Sequence, residues 1–405
     1  MLNAFLSVWH VDLLVWCELV LIGILALGTA VLTFGGVRVH RSELCIAIAG
    51  LVSVVATAFT NNLAVLAFAF ALTVLSATYL ALHTERAANE KTRKAILALS
   101  TGTVGLFLVG SALFLKAQMD AGASFWSALS FGGVAEALSP TSFNAPLTQW
   151  AFAAVTVGVL GALGLFFMKT RFTSFLGTAA PAVFIITLLR LKQGTDTATA
   201  DGGVWTNNVF LAIGIFLLLV TVVKLVFKKK RQLLSISSIQ HIGLVAFMVG
   251  AGPAGTIPAL IHLGGQAVAH SGLWHAAGDS ASVRARPLMK YLCGTLFASL
   301  LAAPFSMLFV SVLVGIGYAL QAHLVLALCV FVVLALLSAY YVRAVLTLTA
   351  QDHTEEPTAP MSKHHKILTA VLATHVLVMF GVGGYLLTQS GIQFVVTVAQ
   401  NIASL

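Results

Sequence analysis

Four polar residues that could pass protons interrupt an otherwise apolar part of the sequence. His262, Gln266 and His270 stand at positions i, i+4 and i+8, which places them on one face of a helix. His241 precedes them and could extend the polar row onto a neighbouring helix. Histidine titrates near neutral pH, so such a column can pass protons through side chains and water. A polar stripe that holds helices together is the alternative, and the residues alone leave both interpretations open.

Glu18 is a further proton-path candidate, because it lies inside the apolar run Val11–Gly35. A buried carboxyl group can be protonated at working pH, although an interhelical hydrogen bond or a contact with a partner subunit is the alternative. No carboxylate pairs with the histidines at metal-ligand spacing. The four cysteines, Cys17, Cys45, Cys293 and Cys329, lie singly in apolar segments. We therefore expect no metal, no cofactor and no catalytic centre in this chain.

The composition indicates a membrane protein. Hydrophobic residues make up 59% of the 405 residues and charged residues only 9%, whereas soluble domains carry roughly 45–50% and about 25%. The long runs are apolar all round, which favours helices over the alternating strands of a barrel. The net charge of +9 comes from short basic islands between apolar runs, so nucleic-acid binding is not expected. The predicted fold is an all-α polytopic membrane protein.

About twelve segments are long and apolar enough to span a bilayer, which needs about 20 residues. The predicted spans are Val11–Gly35, Glu43–Thr60, Asn62–His83, Ala95–Leu115, Pro146–Met168, Phe172–Leu191, Thr206–Phe227, Leu233–Ala251, Thr256–Gly278, Pro287–Tyr318, Ala322–Tyr341 and Ile367–Thr388. The tenth span is long enough to be tilted or broken. Pro304 inside it should kink the helix, and Pro181 should do the same in the sixth span.

The basic residues predict the orientation of these spans. All but three of the 22 Lys and Arg residues lie in loops that follow odd-numbered spans or at the ends of those spans. The positive-inside rule places those loops in the cytoplasm and both termini outside. We therefore expect one transmembrane domain over residues 1–405 in a bacterial-type inner membrane. Residues 117–145 should form an outside loop and residues 351–366 a cytoplasmic loop.

Two stretches resemble a known family of membrane subunits. Leu233–Gly243, with the sequence LLSISSIQHIG, resembles the LLAYSSIEHMG segment of hydrogenase-4 and formate hydrogenlyase membrane subunits. Ala259–Gly278, with the sequence ALIHLGGQAVAHSGLWHAAG, resembles their ALLHLLNHALFKALLFLAAG helix. Asn62–Leu66 and Ala303–Ser306 are similar to the shorter motifs NLLVL and PPFG. The likeness covers a core of about residues 42–345.

This resemblance implies an antiporter-like subunit, related to subunits of complex I and of multisubunit sodium/proton antiporters. Such proteins commonly have fourteen spans, so twelve spans fit a version of the fold that lacks two N-terminal helices. The resemblance implies partners among the membrane and peripheral subunits of a complex, in addition to the lipid bilayer. It also implies that buried Lys, Glu and His residues relay protons that are driven by chemistry in neighbouring subunits.

Most of the charged positions of that family are replaced here. Ala71 stands where the family has a glutamate, residues Leu163–Leu165 and Ala182 where it has basic residues, and Val312 where it has a carboxylate or lysine. Gln240 replaces a glutamate, Gln266 a histidine and His270 a lysine. If a proton path survives, we expect it to run through His262, Gln266 and His270, with His241 alongside.

Two functions from different classes fit these observations. The first is a membrane subunit of a hydrogenase-4, formate hydrogenlyase or complex I-like oxidoreductase assembly, which either conducts protons or serves as a degenerate scaffold. The alternative is the proton-driven membrane subunit of an inorganic-carbon uptake complex with a zinc-containing, carbonic-anhydrase-like partner. The neighbouring genes or the purified complex would discriminate between them.

Overall fold

The computed structural model describes eleven stretches of the chain, and the fold is built from these. They are residues 41–60, 62–84, 90–129, 145–166, 180, 183–192, 195, 203–227, 233–278, 286–350 and 363–393. The chain divides into two compact units, with the described residues up to Thr206 in the first and those from Asn207 in the second. Glu18, Pro181 and Ala182 lie outside the described residues.

The first unit contains five of the helices that we number in chain order. They are α1 (Arg41–Phe59), α2 (Leu63–Thr84), α3 (Glu90–Asp120), the one-turn α4 (Phe125–Ala128) and α5 (Ala145–Phe166). Residues 183–192 are also helical. Asn62 caps α2, because its side-chain oxygen accepts hydrogen bonds from the backbone N–H groups of Ala64 and Val65 at 2.9 and 3.2 Å.

Small residues let helices α3 and α5 pack closely in the first unit. A Cβ atom at Gly110 would meet the backbone of Ala151, and one at Gly158 would meet the backbone of Phe107. Close packing of this kind is a main source of helix association where lipid surrounds the protein. The core of the unit around these helices is largely apolar and aromatic.

The second unit contains seven helices among the described residues. They are α6 (Val204–Phe227, which begins in the first unit), α7 (Leu233–Gly250), α8 (Thr256–Gly278), α9 (Pro287–Leu300), α10 (Met307–Ala322), α11 (Leu324–Ala350) and α12 (Lys363–Leu386). Helix α8 contacts α7, α9, α10 and α12. Because neighbours surround it on several sides, its polar face is buried inside the unit.

The predicted tenth span is broken into helices α9 and α10. Between them, Ala302 and Phe305 adopt positive φ angles of 55° and 67°, a backbone conformation that ends a helix. Pro304 lies between these two residues and cannot donate a backbone hydrogen bond. Helix α10 then starts afresh, since the Ser306 side chain accepts a hydrogen bond from the backbone N–H of Phe309 at 3.1 Å.

Five of the described helices are long and apolar enough to cross a membrane. The qualifying segments are Leu63–Leu82, Arg93–Asp120, Pro146–Leu163, Val204–Leu225 and His365–Leu386. Shorter apolar helices cover Cys45–Thr57, Ile236–Gly250, Met307–Ala322 and Leu324–Ala339. The chain is therefore a helical, multi-pass membrane protein, as the sequence predicts.

Candidate functional site

Helices α7 and α8 bring the four clustered candidates together in the second unit. His241 lies on α7, and His262, Gln266 and His270 lie on α8. Their exposed fractions are 2%, 0%, 6% and 2%. An uninterrupted helix keeps the i, i+4, i+8 spacing on one face, and the contact between α7 and α8 places His241 beside that face.

A chain of hydrogen bonds joins three of the helices through two histidines. The Nδ1 atom of His241 lies 2.8 Å from Nε2 of His262. The Nδ1 atom of His262 lies 2.7 Å from the Ser311 hydroxyl on α10. Ser311 donates its own proton to the carbonyl oxygen of Leu308 at 2.8 Å. The helix break therefore matters to the site, because it sets the start of the helix that carries Ser311.

These partners determine where the protons lie when both imidazoles are neutral. Because the Ser311 hydroxyl donates to Leu308, it must accept from His262, which places the His262 proton on Nδ1. The Nε2 atom of His262 is then an acceptor, so His241 donates to it from Nδ1. His241 is left with a bare acceptor at Nε2, and this buried atom has no hydrogen-bond partner among the described residues.

His270 belongs to a separate pair of hydrogen bonds across α7 and α8. Its Nδ1 atom lies 3.0 Å from the Ser238 hydroxyl, and its Nε2 atom lies 3.3 Å from the Ser237 hydroxyl. Ser238 donates to the carbonyl oxygen of Leu234 at 3.0 Å and thus accepts from His270. Ser237 donates to the opposite ring nitrogen. Both ring nitrogens of His270 are therefore satisfied by α7.

The predicted column is not a continuous hydrogen-bonded wire. The rings of His241 and His270 meet edge to face with centroids 5.8 Å apart, and no hydrogen bond joins them in the part of the chain described. Gln266 lies between His262 and His270 in sequence, but its buried Oε1 atom has no partner there. The bonds run across from α8 to α7 and α10 rather than along α8.

Sequence reasoning did not single out Ser311 or the two serines of α7 as partners. A serine inside an apolar helix is a weak signal, because it can also bond to its own helix. The sequence also offers no indication that the side chain of Lys192 would be buried. Lys192 stands at the end of the helical residues 183–192 and is buried.

His375 on α12 ties that helix to α8. Its Nδ1 atom donates to the carbonyl oxygen of Val371 at 2.7 Å, and its Nε2 atom lies 3.3 Å from the Ser271 hydroxyl. These contacts suit a packing residue. The described residues hold no group of three or more His, Cys, Asp or Glu side chains arranged to bind a metal ion.

The positions where the resemblance implies charged residues lie in both units of the structure. Leu163 on α5 is buried in the first unit. Phe70, the neighbour of Ala71, stacks on Phe107 with ring centroids 3.8 Å apart. Val312 on α10 lies beside the histidines and lines a cavity that also borders His241 and His262.

Comparison with known proteins shows that the chain is similar in fold to chains of several membrane complexes. The sequence matches no protein-family model and no curated protein. A chain of the Mrp complex from Dietzia sp. has 17% identity and a TM-score of 0.71, with 98% of this chain and 84% of that chain covered. A chain of respiratory complex I from Thermus thermophilus, solved with bound NADH, has 17% identity and a TM-score of 0.77, with 98% and 85% covered.

A third similar structure comes from an archaeal respiratory membrane complex, the membrane-bound sulfane sulfur reductase. Its matching chain has 16% identity and a TM-score of 0.80, with 97% of this chain and 83% of that chain covered. The chain thus has the fold of the antiporter-like membrane subunits in these complexes. The fold that the sequence motifs implied is confirmed.

Proposed function

We propose that the chain is a membrane subunit of a multisubunit complex, and that His241 and His262 transfer protons within its second unit. The similar structures support the first part, since all three are chains of larger membrane complexes. The single observation that carries the second part is the buried chain of hydrogen bonds from His241 through His262 to Ser311.

The hydrogen bonds suggest how the transfer proceeds. A proton arriving at the bare Nε2 atom of His241 allows the Nδ1 proton of His241 to pass to Nε2 of His262. His262 then holds the added proton as an imidazolium, with its Nδ1–H still donating to Ser311. Neither the Ser311 hydroxyl nor the backbone needs to change its bonds. A 2.8 Å separation is an ordinary distance for this transfer.

Proton uptake by the reconstituted native complex tests this function. His262→Leu removes the receiving imidazole, whereas His375→Leu removes a histidine of the same unit that lies outside the chain of bonds. We expect uptake to fall at least about tenfold in the first variant and to persist in the second. Subunit content is measured on the same samples. Uptake equal to wild type in a fully assembled His262→Leu complex would leave a scaffold role instead.

We further propose a hydrogenase-4 or formate hydrogenlyase type of host, which rests on the motifs in Leu233–Gly243 and Ala259–Gly278. Purifying the native complex through an affinity tag on this chain and identifying its subunits by mass spectrometry tests the assignment. Nickel–iron hydrogenase and ferredoxin-like subunits are expected. Recovery of one large carbonic-anhydrase-like protein would instead support the role in inorganic-carbon uptake.

The proposed orientation has both termini outside a bacterial-type inner membrane, and it rests on the distribution of basic residues. Reporter fusions after Arg231 should report the cytoplasm, and fusions within residues 117–145 should report the outside. Two fusions that report the same side would contradict this topology.

A further inference from the structure

Helix α12 approaches the start of α10 through a glycine. A Cβ atom at Gly383 would stand 2.5 Å from the carbonyl carbon of Ser306 and 2.6 Å from the backbone nitrogen of Met307. Nonbonded heavy atoms do not come this close, and backbone atoms cannot swing aside as the end of a flexible side chain can. Only glycine therefore fits at this position of α12 while the start of α10 stays where it is.

Helix α8 approaches the same turn of α10 from another side, also through a glycine. A Cβ atom at Gly265 would stand 3.1 Å from the Cβ atom of Met307 and 3.1 Å from the Cγ and Cδ2 atoms of Leu308. These are side-chain atoms, which can adjust slightly. Helices α8, α10 and α12 all contact one another. The first turn of α10 is thus held between α8 and α12.

This turn carries the group that orients Ser311. The carbonyl oxygen of Leu308 accepts the Ser311 proton, so the hydroxyl oxygen is left to accept the hydrogen bond from Nδ1 of His262. The backbone between Ala302 and Phe305 is not helical, so α9 does not continue into α10 and fix where Ser311 lies. The neighbouring helices must therefore fix the start of α10.

We propose that Gly383 and Gly265 are positioning residues for proton transfer between His241 and His262. Their missing side chains let α12 and α8 hold the first turn of α10 where Ser311 accepts the hydrogen bond from His262. Neither glycine has a side-chain group that can exchange a proton, so both act through the backbone of α10. This role rests on the proposed proton transfer, and it adds α12 to the helices on which that transfer depends.

Alanine substitutions at two adjacent glycines of α12 test this role in the reconstituted native complex. Gly383→Ala places a methyl group against the backbone of α10, so proton uptake should fall to about the level of Ser311→Ala. Gly384→Ala is the matched control, because Gly384 has open space at its Cβ position. Its uptake should equal that of wild type. Its midpoint temperature of unfolding should be unchanged or higher, since alanine is the better helix former.

A double variant separates an effect through Ser311 from a general loss of packing. If Gly383 acts through Ser311, adding Gly383→Ala to Ser311→Ala should change uptake by less than about twofold. Gly265→Ala repeats the comparison with a milder clash, and it decides the question if the Gly383→Ala complex does not assemble. Losses of uptake that multiply in the double variants, or wild-type uptake in both single variants, would overturn the proposal.

The tautomer of His262 gives a readout that does not depend on uptake. Solid-state NMR of the complex with ¹⁵N-labelled histidine should show His262 protonated at Nδ1 in wild type and in Gly384→Ala, and the His262→Leu complex identifies its signal. In Gly383→Ala part of the signal should change to the tautomer protonated at Nε2, which donates to His241. An unchanged His262 signal in the assembled variant would also overturn the proposal.

Failure of this proposal can be told apart from failure of the proposed function. Full uptake in an assembled His262→Leu complex would remove the histidines from the proton route. The tautomer of His262 in Gly383→Ala would still show whether this glycine positions Ser311. A normal tautomer in Gly383→Ala together with lost uptake in His262→Leu would leave the proton transfer standing and remove only the role of the glycine.

Discussion

Buried polar groups are arranged differently in the two units. In the described part of the first unit, several buried hydroxyls bond to their own helix, as Thr73 does to the carbonyl oxygen of Ala69 at 2.9 Å and Ser111 to that of Phe107 at 2.9 Å. In the second unit, His241, His262 and His270 bond to side chains on other helices. One bond in the first unit, from Thr78 to Ser100 at 2.7 Å, does cross between helices.

This difference distinguishes buried polar groups that only pack from buried polar groups that can transfer protons. A hydroxyl that donates to its own helix is satisfied and has nothing to pass on. A histidine has two ring nitrogens and can accept on one while donating from the other. The aromatic cluster of the first unit, Phe70 with Phe107 and Phe184, offers no such group. Among the described residues, the histidines of the second unit are therefore the groups best arranged for proton transfer.

The largest expected effect tests whether the first unit is a packing core. Phe107→Ala removes a buried ring that stacks on Phe70 and should destabilise the protein by about 3–5 kcal/mol. The midpoint temperature of thermal unfolding of the purified complex measures the loss. Leu106→Ala on the same helix is the control, because Leu106 is exposed. Equal shifts for the two variants would contradict the importance of this core.

The second prediction concerns the partner of His262. Ser311→Ala leaves the buried Nδ1–H of His262 without an acceptor, so we expect a loss of about 1–3 kcal/mol. Proton uptake should fall as well, since the orientation of the His262 ring is no longer fixed. Ser311→Thr retains the hydroxyl and should restore much of the uptake. A Thr variant no better than Ala would argue that the hydroxyl does not orient the ring.

The third prediction tests whether His270 takes part in proton transfer through His241 and His262. His270→Leu removes the bonds to Ser237 and Ser238, but both serines retain backbone carbonyls of α7 as possible partners. We expect a loss of stability of about 1–2 kcal/mol and an uptake that stays within several-fold of wild type. Collapse of uptake with intact assembly would show that the route includes His270, and the 5.8 Å gap to His241 would then have to be bridged by water.

The sequence predicts the helices better than it predicts the site. Helix α8 begins and ends at the predicted residues Thr256 and Gly278, because a long apolar run bounded by polar residues and glycine has few alternatives. The break before α10 was expected from Pro304, but the positive φ angles of Ala302 and Phe305 have no signal in their residue types. Ala302 lies where α9 ends, and the backbone N–H of the next residue, Ala303, donates to the carbonyl oxygen of Ala298 at 3.1 Å.

The periodicity of α8 predicts which face its polar residues share, but not what lies opposite that face. His262 and His270 share a face, yet one bonds to α7 and α10 and the other only to α7. Those partners depend on how neighbouring helices are positioned, which the spacing along one helix does not encode. Ser311 is 49 residues from His262 in sequence, so no local sequence pattern connects the two residues.

The smallest expected effect comes from removing a hydroxyl that bonds only within its own helix. Thr73 is fully buried, and its hydroxyl donates to the carbonyl oxygen of Ala69. Valine has nearly the same shape, and the carbonyl can keep its backbone bond in the helix, so Thr73→Val leaves no strong group unsatisfied. We expect a change in stability within about 0.5 kcal/mol and unchanged proton uptake. The Thr73→Val variant is measured beside Ser311→Ala. The pair compares the loss of a hydroxyl that bonds only within its own helix with the loss of a hydroxyl that accepts a bond from a histidine. If Thr73→Val lowered uptake as much as Ser311→Ala, polar groups of the first unit would take part in transfer, and the proposed division between the two units would be wrong.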